Sequence, residues 1–186
     1  MKRFDSGRQR LNNHIALFNA MKMISVVGEG RNSGKTTAVE ELVREFKRRG
    51  LKVGTIKQIH EPDFTIDTVG KDSWRHAEAG ADIVVSAAPG EVAAIKRLRD
   101  GDRVKEALAL LRGLPLDLVI IEGDPGLEVP MVYAARGGDR KGAKPVDDKV
   151  VCMVSLTPER VRGSGLPVFH IREDVSRVAD LLLKTL

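Results

Sequence analysis

The chain has 186 residues, 31 of them Lys or Arg against 26 Asp or Glu, with 42% apolar and 31% charged residues. That composition suits one ordinary globular domain and excludes a disordered chain. One Trp, one Tyr and five Phe argue against an aromatic platform for single-stranded nucleic acid, the single Cys152 excludes an internal disulfide or a cysteine metal cage, and the net charge of +5 leans towards anionic ligands, for which nucleotide phosphates suffice.

Residues 1–22 are polar and basic, with Lys2, Arg3, Arg8 and Arg10 and a weak helical stripe through Leu11, Ile15 and Phe18. They read as an N-terminal extension, disordered or helical, ahead of a single domain over residues 23–186. Met21 and Met23 offer alternative starts, and a native extension stands beside that reading. The segment lacks the apolar stretch of a signal peptide, and no run in the chain is long enough to span a bilayer. The expected compartment is the cytoplasm.

From Met23 onwards the pattern is strand, glycine-rich loop, helix and strand. Ile24–Val27 is a β-branched run ended by glycine. Val39, Leu42, Val43 and Phe46 recur at helical spacing, and Gly50 follows the basic turn Lys47-Arg48-Arg49 as a helix terminator does. Val53–Ile56 is a second strand, residues 58–70 a polar loop, and Asp72–Ala79 a helix stopped by Gly80, with Asp72 or Ser73 as its cap. Ile83–Ser86 and Val92–Ile95 are further strands, and Asp102–Leu111 is an amphipathic helix. Leu116–Ile121 is almost continuously apolar, as a parallel strand covered on both faces would be.

Met131–Ala135 reads as a strand, Gly137–Asp148 as a long polar loop, and Val150–Ser155 and Pro167–Ile171 as the last strands. Cys152 falls in an apolar run and reads as a buried, inert thiol. Asp174 is expected to cap a final helix through Val175, Val178, Leu182 and Leu183. Strands alternating with helices predict an α/β fold, a mostly parallel sheet with flanking helices in three Rossmann-like layers, and the Gly34-Lys35-Thr36 loop between the first strand and helix makes it of the P-loop NTPase kind.

The chemistry starts at Gly30-Arg31-Asn32-Ser33-Gly34-Lys35-Thr36-Thr37, which lies between a strand and a helix. Small residues there let backbone N–H groups curl around phosphate oxygens, and a helix beginning at Lys35 aims its free amides at the same anion. Lys35 is expected to reach the β and γ phosphates and Thr36 to ligate Mg²⁺. The usual spacing requires glycine at position 29, where this chain has Glu29 between Gly28 and Gly30. The loop is therefore one residue longer than usual or opens on Gly30, and Glu29 is expected to point away from phosphate.

Downstream, Gly54-Thr55-Ile56-Lys57 followed by His60, the block Gly70-Lys71-Asp72-Ser73-Trp74-Arg75-His76 leading to Glu78-Ala79-Gly80-Ala81, and Leu118–Ile121 followed by Glu122-Gly123 join the phosphate loop in one pattern. With Leu166–Phe169 and the acid-capped last helix, the pattern resembles the MobB family of molybdopterin-guanine dinucleotide biosynthesis proteins over residues 23–186. The chain departs from it at Gln58 and Pro62, where the family has a histidine-rich cluster, and at Asp124-Pro125, where it tends to have an aromatic residue and a lysine. The resemblance implies a GTP-binding protein with weak hydrolysis and Mg²⁺. Its partners would be a MobA-type guanylyltransferase together with molybdopterin or a molybdoenzyme. No Asn-Lys-x-Asp element is present, so GTP over ATP rests on the resemblance alone. Resemblance and the apolar segment Val129–Ala135 together make a homodimer plausible.

Further site candidates follow from position. Glu122 ends a buried strand, where α/β folds gather ligands, and would contact the metal or polarise the attacking water; a solvated loop carboxylate is the alternative. Lys57 would point into the same crevice towards phosphate or an acidic substrate, or simply lie on the surface. His60, Asp63 and Asp67 occupy a loop of the switch kind, and a metal held by His60 with two carboxylates is a weaker option. Lys71 and Arg75 give the next helix a positive side suited to a pterin phosphate or an acidic partner, and Asp72 is either that helix's cap or a polar contact to the nucleotide loop. The basic run Lys96-Arg97-Leu98-Arg99 with Arg103 reads as a solvated turn rather than a nucleic-acid site. Two other functions remain open beside the adapter: an ATP-dependent P-loop kinase or ligase acting on a small molecule, and an ATPase of the deviant P-loop type, whose signature lysine would stand where this chain has Gly30.

Overall fold

The computed structural model describes residues 21–98, 101–136, 138–139, 147–162 and 165–186. The first 20 residues of the expected extension, Arg99 of the basic run, and Gly137 and residues 140–146 of the expected polar loop lie outside the described residues. Contacts divide the chain into two compact units, residues 1–58 with 108–186, and residues 59–107.

In the first unit six strands form one sheet: β1 (Lys22–Val27), β2 (Val53–Lys57), β5 (Leu118–Glu122), β6 (Met131–Ala134), β8 (Val150–Ser155) and β10 (Val168–His170). Their order is β10-β8-β6-β1-β5-β2, and every neighbouring pair is parallel. A wholly parallel sheet needs cover on both faces, which is why β5 carries no alternation. Leu118 and Ile120 join the large core cluster on one face with Ile24, Val26, Leu42 and Phe46. Val119 and Ile121, also fully buried, belong to the opposite face.

Helices α1 (Lys35–Arg48) and α4 (Val175–Thr185) cover the first face. Ala38, Val39, Leu42 and Phe46 form the buried stripe of α1, and Val178, Ala179 and Leu182 that of α4. Helix α1 ends as its sequence requires. Gly50 takes φ 83°, the Leu51 N–H bonds the Phe46 carbonyl, and the Gly50 N–H bonds the Lys47 carbonyl, which is a Schellman closure.

A polar knot ties α1 to α4. Glu45, only 5% exposed, accepts two hydrogen bonds from Arg48 and one from Arg49, and Arg49 also reaches Asp180 and Ser176. The Arg48 guanidinium holds the Glu45 carboxyl down at about 2; burial opposes this, and Arg49 adds to it. The folded value lies below the ordinary 4.5, so this stabilisation is complete above pH 4.5 and disappears as pH falls towards 2. Glu45→Gln should therefore lower the melting temperature at pH 7. The difference from the unsubstituted chain should shrink between pH 4.5 and 3 in a series of thermal melts; a gap that stays constant with pH would refute the assignment.

The second unit holds α2 (Asp72–Glu78), the strands β3 (Val84–Ala88) and β4 (Glu91–Ile95), and the first turns of α3 (Arg103–Leu111). β3 and β4 do not extend the parallel sheet, as strict alternation with helices implied. They form an antiparallel hairpin of five registered pairs across Pro89-Gly90. A two-residue connection can only reverse the chain; a parallel neighbour would need a crossover of a dozen residues or so.

Three smaller expectations are also corrected, and Asp174 takes its expected cap position. Lys71, not Asp72 or Ser73, occupies the cap position of α2, and the Ser73 hydroxyl donates instead to Asp67 at 2.8 Å. Asp174 sits at the N-cap of α4 but makes no cap bond, because its carboxylate accepts the His170 N–H and pairs with Arg177. Within the expected polar loop, β7 (Gly138–Asp139) pairs with β9 (Val161–Arg162). The apolar segment Val129–Ala135, offered as a dimer surface, is buried, with β6 lying inside the sheet between β1 and β8.

Candidate functional site

The phosphate loop leaves β1 at Gly28 and enters α1 at Lys35. Three of its residues take left-handed backbone: Gly30 at φ 61°, Asn32 at φ 59° and Gly34 at φ 93°. Asn32 is the only non-glycine residue with positive φ among the described residues, and Asn tolerates this region better than most side chains. Gly28 is required for a different reason. A Cβ there would stand 2.5 Å from the Ala134 carbonyl oxygen and 2.9 Å from Ser33 Oγ, so loop and β6 touch through bare backbone.

Lys35 folds back over this loop. Its Nζ donates to the Gly30 carbonyl at 2.7 Å, to Ser33 Oγ at 3.0 Å and to the Gly28 carbonyl at 3.4 Å. The ammonium thus spans both glycines that flank Glu29, and the irregular entrance is gathered around one cation. Glu29 itself is solvent-exposed. Arg31, Asn32 and Thr36 are exposed, Gly34, Lys35 and Thr37 half-buried, and Ser33 buried.

Register brings the next groups together. Glu122, the last residue of β5, lies beside Val26 of β1 and Lys57 of β2. Thr36 Oγ1 donates to Glu122 Oε1 at 3.0 Å, and Lys57 Nζ stands 3.8 Å from the same oxygen. The Glu122 side chain is 13% exposed, whereas that of Lys57 is 60% exposed. Behind the carboxylate, Ser25 Oγ donates to the Gly123 carbonyl at 2.6 Å, and Gln58 Nε2 donates to the Asp124 carbonyl at 2.7 Å. Gly123 takes φ 119° against the Gln58 side chain.

A hydroxyl and a carboxylate oxygen side by side at the mouth of a helix N-terminus are hard donors, the set that Mg²⁺ selects. Thr36 and Glu122 fit that ion. Elsewhere, no group of three or more His, Cys, Asp or Glu able to hold a metal occurs among the described residues. The option of a metal on His60 with two carboxylates loses its support accordingly: His60 Nδ1 meets Arg103 Nη2 at 3.1 Å, and Asp67 accepts from Ser73.

Of the other candidates in the second unit, Asp63 and Lys71 are exposed. Asp72 is 91% exposed and pairs with Arg75 at 3.7 Å. Two residues of the basic run have acidic partners: Lys96 pairs with Glu106, Arg97 with Glu78, and Arg97 also lies over the Trp74 ring. Arg103 instead donates to the Ile59 carbonyl at 2.7 Å.

Sequence reasoning missed a second wall of the site. A pocket of about 180 Å³ opens beside the phosphate loop, with Asn32, Gly34 and Thr37 on one side and the carboxyl ends of β6 and β8 on the other. Ser155 and Thr157 contribute hydroxyls, and Arg136, just past β6, lines it too. Arg136 Nε donates to the Asn32 carbonyl at 2.9 Å and Nη2 to the Arg31 carbonyl at 3.2 Å. The rule that found Glu122, that ligands gather at the carboxyl ends of parallel strands, applies equally to β6 and would have found Arg136.

The comparisons with known proteins agree with one another. A family model described as molybdopterin guanine dinucleotide synthesis protein B matches residues 23–156. The molybdopterin-guanine dinucleotide biosynthesis adapter protein of Haemophilus influenzae is 28% identical over 157 residues, 84% of this chain and 87% of that protein. A probable adapter protein of the same description from Bacillus subtilis is 28% identical over 163 residues, 87% of this chain and 92% of the other. Among solved structures, Bacillus subtilis MobB superposes with a TM-score of 0.65 at 27% identity, covering 89% of this chain and 98% of that one. A MobB homolog from Bacillus stearothermophilus gives 0.63 at 26% identity, covering 88% and 97%.

Proposed function

The chain belongs to the molybdopterin guanine dinucleotide synthesis protein B (MobB) family, and from that premise we propose that it is a GTP-binding adapter of molybdopterin-guanine dinucleotide biosynthesis. It presents GTP to a MobA-type guanylyltransferase acting on molybdopterin, in the cytoplasm, and hydrolyses GTP weakly with Mg²⁺. The same reading makes it a homodimer and extends its contacts to the receiving molybdoenzyme. No helix among the described residues is long and apolar enough to cross a membrane.

One observation carries the nucleotide reading: Lys35 Nζ sits inside the loop on the carbonyls of Gly28 and Gly30 and on Ser33 Oγ, next to the Thr36–Glu122 pair. These are the groups that meet a triphosphate and its ion. The helix α1 amides and the Lys35 ammonium bind the phosphates. Thr36 and Glu122 would hold Mg²⁺, which when bound neutralises charge on the β and γ phosphates. Glu122 also orients a water through its free oxygen. Lys57, near the same carboxylate, supplies positive charge at the rim. His60, Asp63, Lys71 and Asp72 are proposed for the substrate or switch side of the cycle.

Equilibrium titration of the purified protein with GTP and ATP, with and without Mg²⁺, a MobA-type partner and molybdopterin, tests this reading. GTP should bind, and the partner's guanylyl transfer should rise in its presence. Tight ATP binding with no response to GTP, or rapid phosphoryl transfer to a small molecule, would replace the adapter by a kinase or ligase. Glu122→Gln should leave Mg²⁺-free GTP binding intact and lower the hydrolysis rate by roughly tenfold or more, the usual scale for losing one charged partner of a metal site. Unchanged hydrolysis in that variant would remove Glu122 from the site.

A further inference from the structure

We propose that Arg136 reads the 6-oxo edge of the purine, so that the protein selects GTP and ITP alike over ATP. The inference rests on the nucleotide reading above and goes beyond it to the residue and the atoms that discriminate. A nucleotide whose phosphates lie on the loop must place its base against a neighbouring wall. The pocket shared by the loop and the ends of β6 and β8 has that position. Its walls include Ala134, Ala135, Val154 and Ile171, apolar surfaces of the kind that cover the faces of a ring.

Arg136 is the charged group in this pocket, and its orientation is fixed before any ligand arrives. Nε and Nη2 are anchored on the carbonyls of Asn32 and Arg31, which leaves the remaining N–H groups of the guanidinium for a ligand. A guanidinium offers only donors. Guanine and hypoxanthine present two acceptors on one edge, O6 and N7, whereas adenine replaces O6 with an amino donor that would face the guanidinium donor to donor. Among the described residues the pocket lining contains no Asp or Glu. None of those lining residues is therefore a carboxylate that could accept from N1–H or from the 2-amino group. Discrimination falls on the 6-position, and the 2-amino group that separates GTP from ITP goes unread.

Competitive titrations of GTP, ITP, ATP and inorganic tripolyphosphate against the full chain and its Arg136→Met and Arg136→Lys variants decide the matter. In the unsubstituted chain GTP and ITP should agree within about twofold, and ATP should be weaker by roughly tenfold or more, the discrimination expected of one good Arg–base contact. In Arg136→Met the GTP-to-ATP ratio should fall towards one, while tripolyphosphate binding reports separately on the loop. Arg136→Lys, which keeps the charge but loses the planar fork, should also lose most of the ratio. A preserved ratio in both variants, ITP binding much more weakly than GTP, or equal binding of ATP and GTP by the unsubstituted chain would each overturn the proposal. Failure of the unsubstituted chain to bind even tripolyphosphate would instead bring down the nucleotide reading, and this inference with it.

Discussion

Lys35→Ala is expected to weaken triphosphate binding by on the order of a hundredfold or more while leaving the fold intact. The ammonium makes three hydrogen bonds to the loop's own carbonyls and hydroxyl. A bound β or γ phosphate replaces those neutral acceptors with charged oxygens. Each charge-assisted hydrogen bond contributes about 1.5–3 kcal/mol, so losing the cation and its contacts accounts for a loss of that size. Stability should change by no more than about 0.5 kcal/mol, because Gly30 is exposed, Lys35 only half-buried, and water can take over the freed carbonyls. Titration with a fluorescent GTP analogue beside a thermal melt separates the two effects. Retained binding by a folded variant would overturn the assignment of the loop.

The second large effect is expected at Gly28. A methyl group placed there meets the Ala134 carbonyl oxygen at 2.5 Å and Ser33 Oγ at 2.9 Å. The serine hydroxyl can rotate away, but the carbonyl belongs to β6, which is hydrogen-bonded into the sheet on both sides. Gly28→Ala must therefore push the loop off the strand. Overpacking of this kind costs about 1–3 kcal/mol, which for a chain of this length lowers the melting temperature by roughly 2–12 °C. Triphosphate affinity should fall with it, because the loop carbonyls that Lys35 gathers would spread apart. Gly30→Ala is the contrasting case. A methyl group there has nothing within 4 Å, and the penalty is only the left-handed backbone at φ 61°, about 1–2 kcal/mol. A Gly28 variant that melted at the same temperature as the unsubstituted chain would show that loop and strand do not approach so closely.

These two glycines show what the sequence carried and what it did not. The loop's place between a strand and a helix was legible, because a β-branched run, a cluster of small residues and a helical stripe follow one another directly. The meaning of Glu29 was not legible. Spacing alone could not tell whether Gly28 or Gly30 opens the loop. The structure gives each glycine a separate duty, Gly28 for close approach to Ala134 and Gly30 for backbone conformation. Lys35 then draws both carbonyls to one point.

The parallel sheet was legible for a similar reason, since Leu118–Ile121 reads as a strand buried on both faces. The strand-end rule already brought Glu122 to the metal side of Thr36, and the register of β1 on β5 supplies the contact itself, across 86 residues of sequence. Pro89-Gly90 marks the reversal between β3 and β4, a local turn signal that alternation of strands with helices does not carry. Arg136 was missed because it stands at the edge of a polar, glycine-rich stretch, where no periodicity marks a residue. Its partners are main-chain oxygens more than 100 residues away.

Cys152 lies at the centre of the core with no exposed surface, and burial pushes its thiol up to about 12. At neutral pH it carries almost no thiolate, the form that attacks maleimides and iodoacetamides. The native protein is consequently a silent background for thiol labelling, with no need to remove its own cysteine. A single cysteine introduced at an exposed position would take one fluorophore or spin label, so distances and motions during nucleotide binding can be followed in a chain otherwise unaltered.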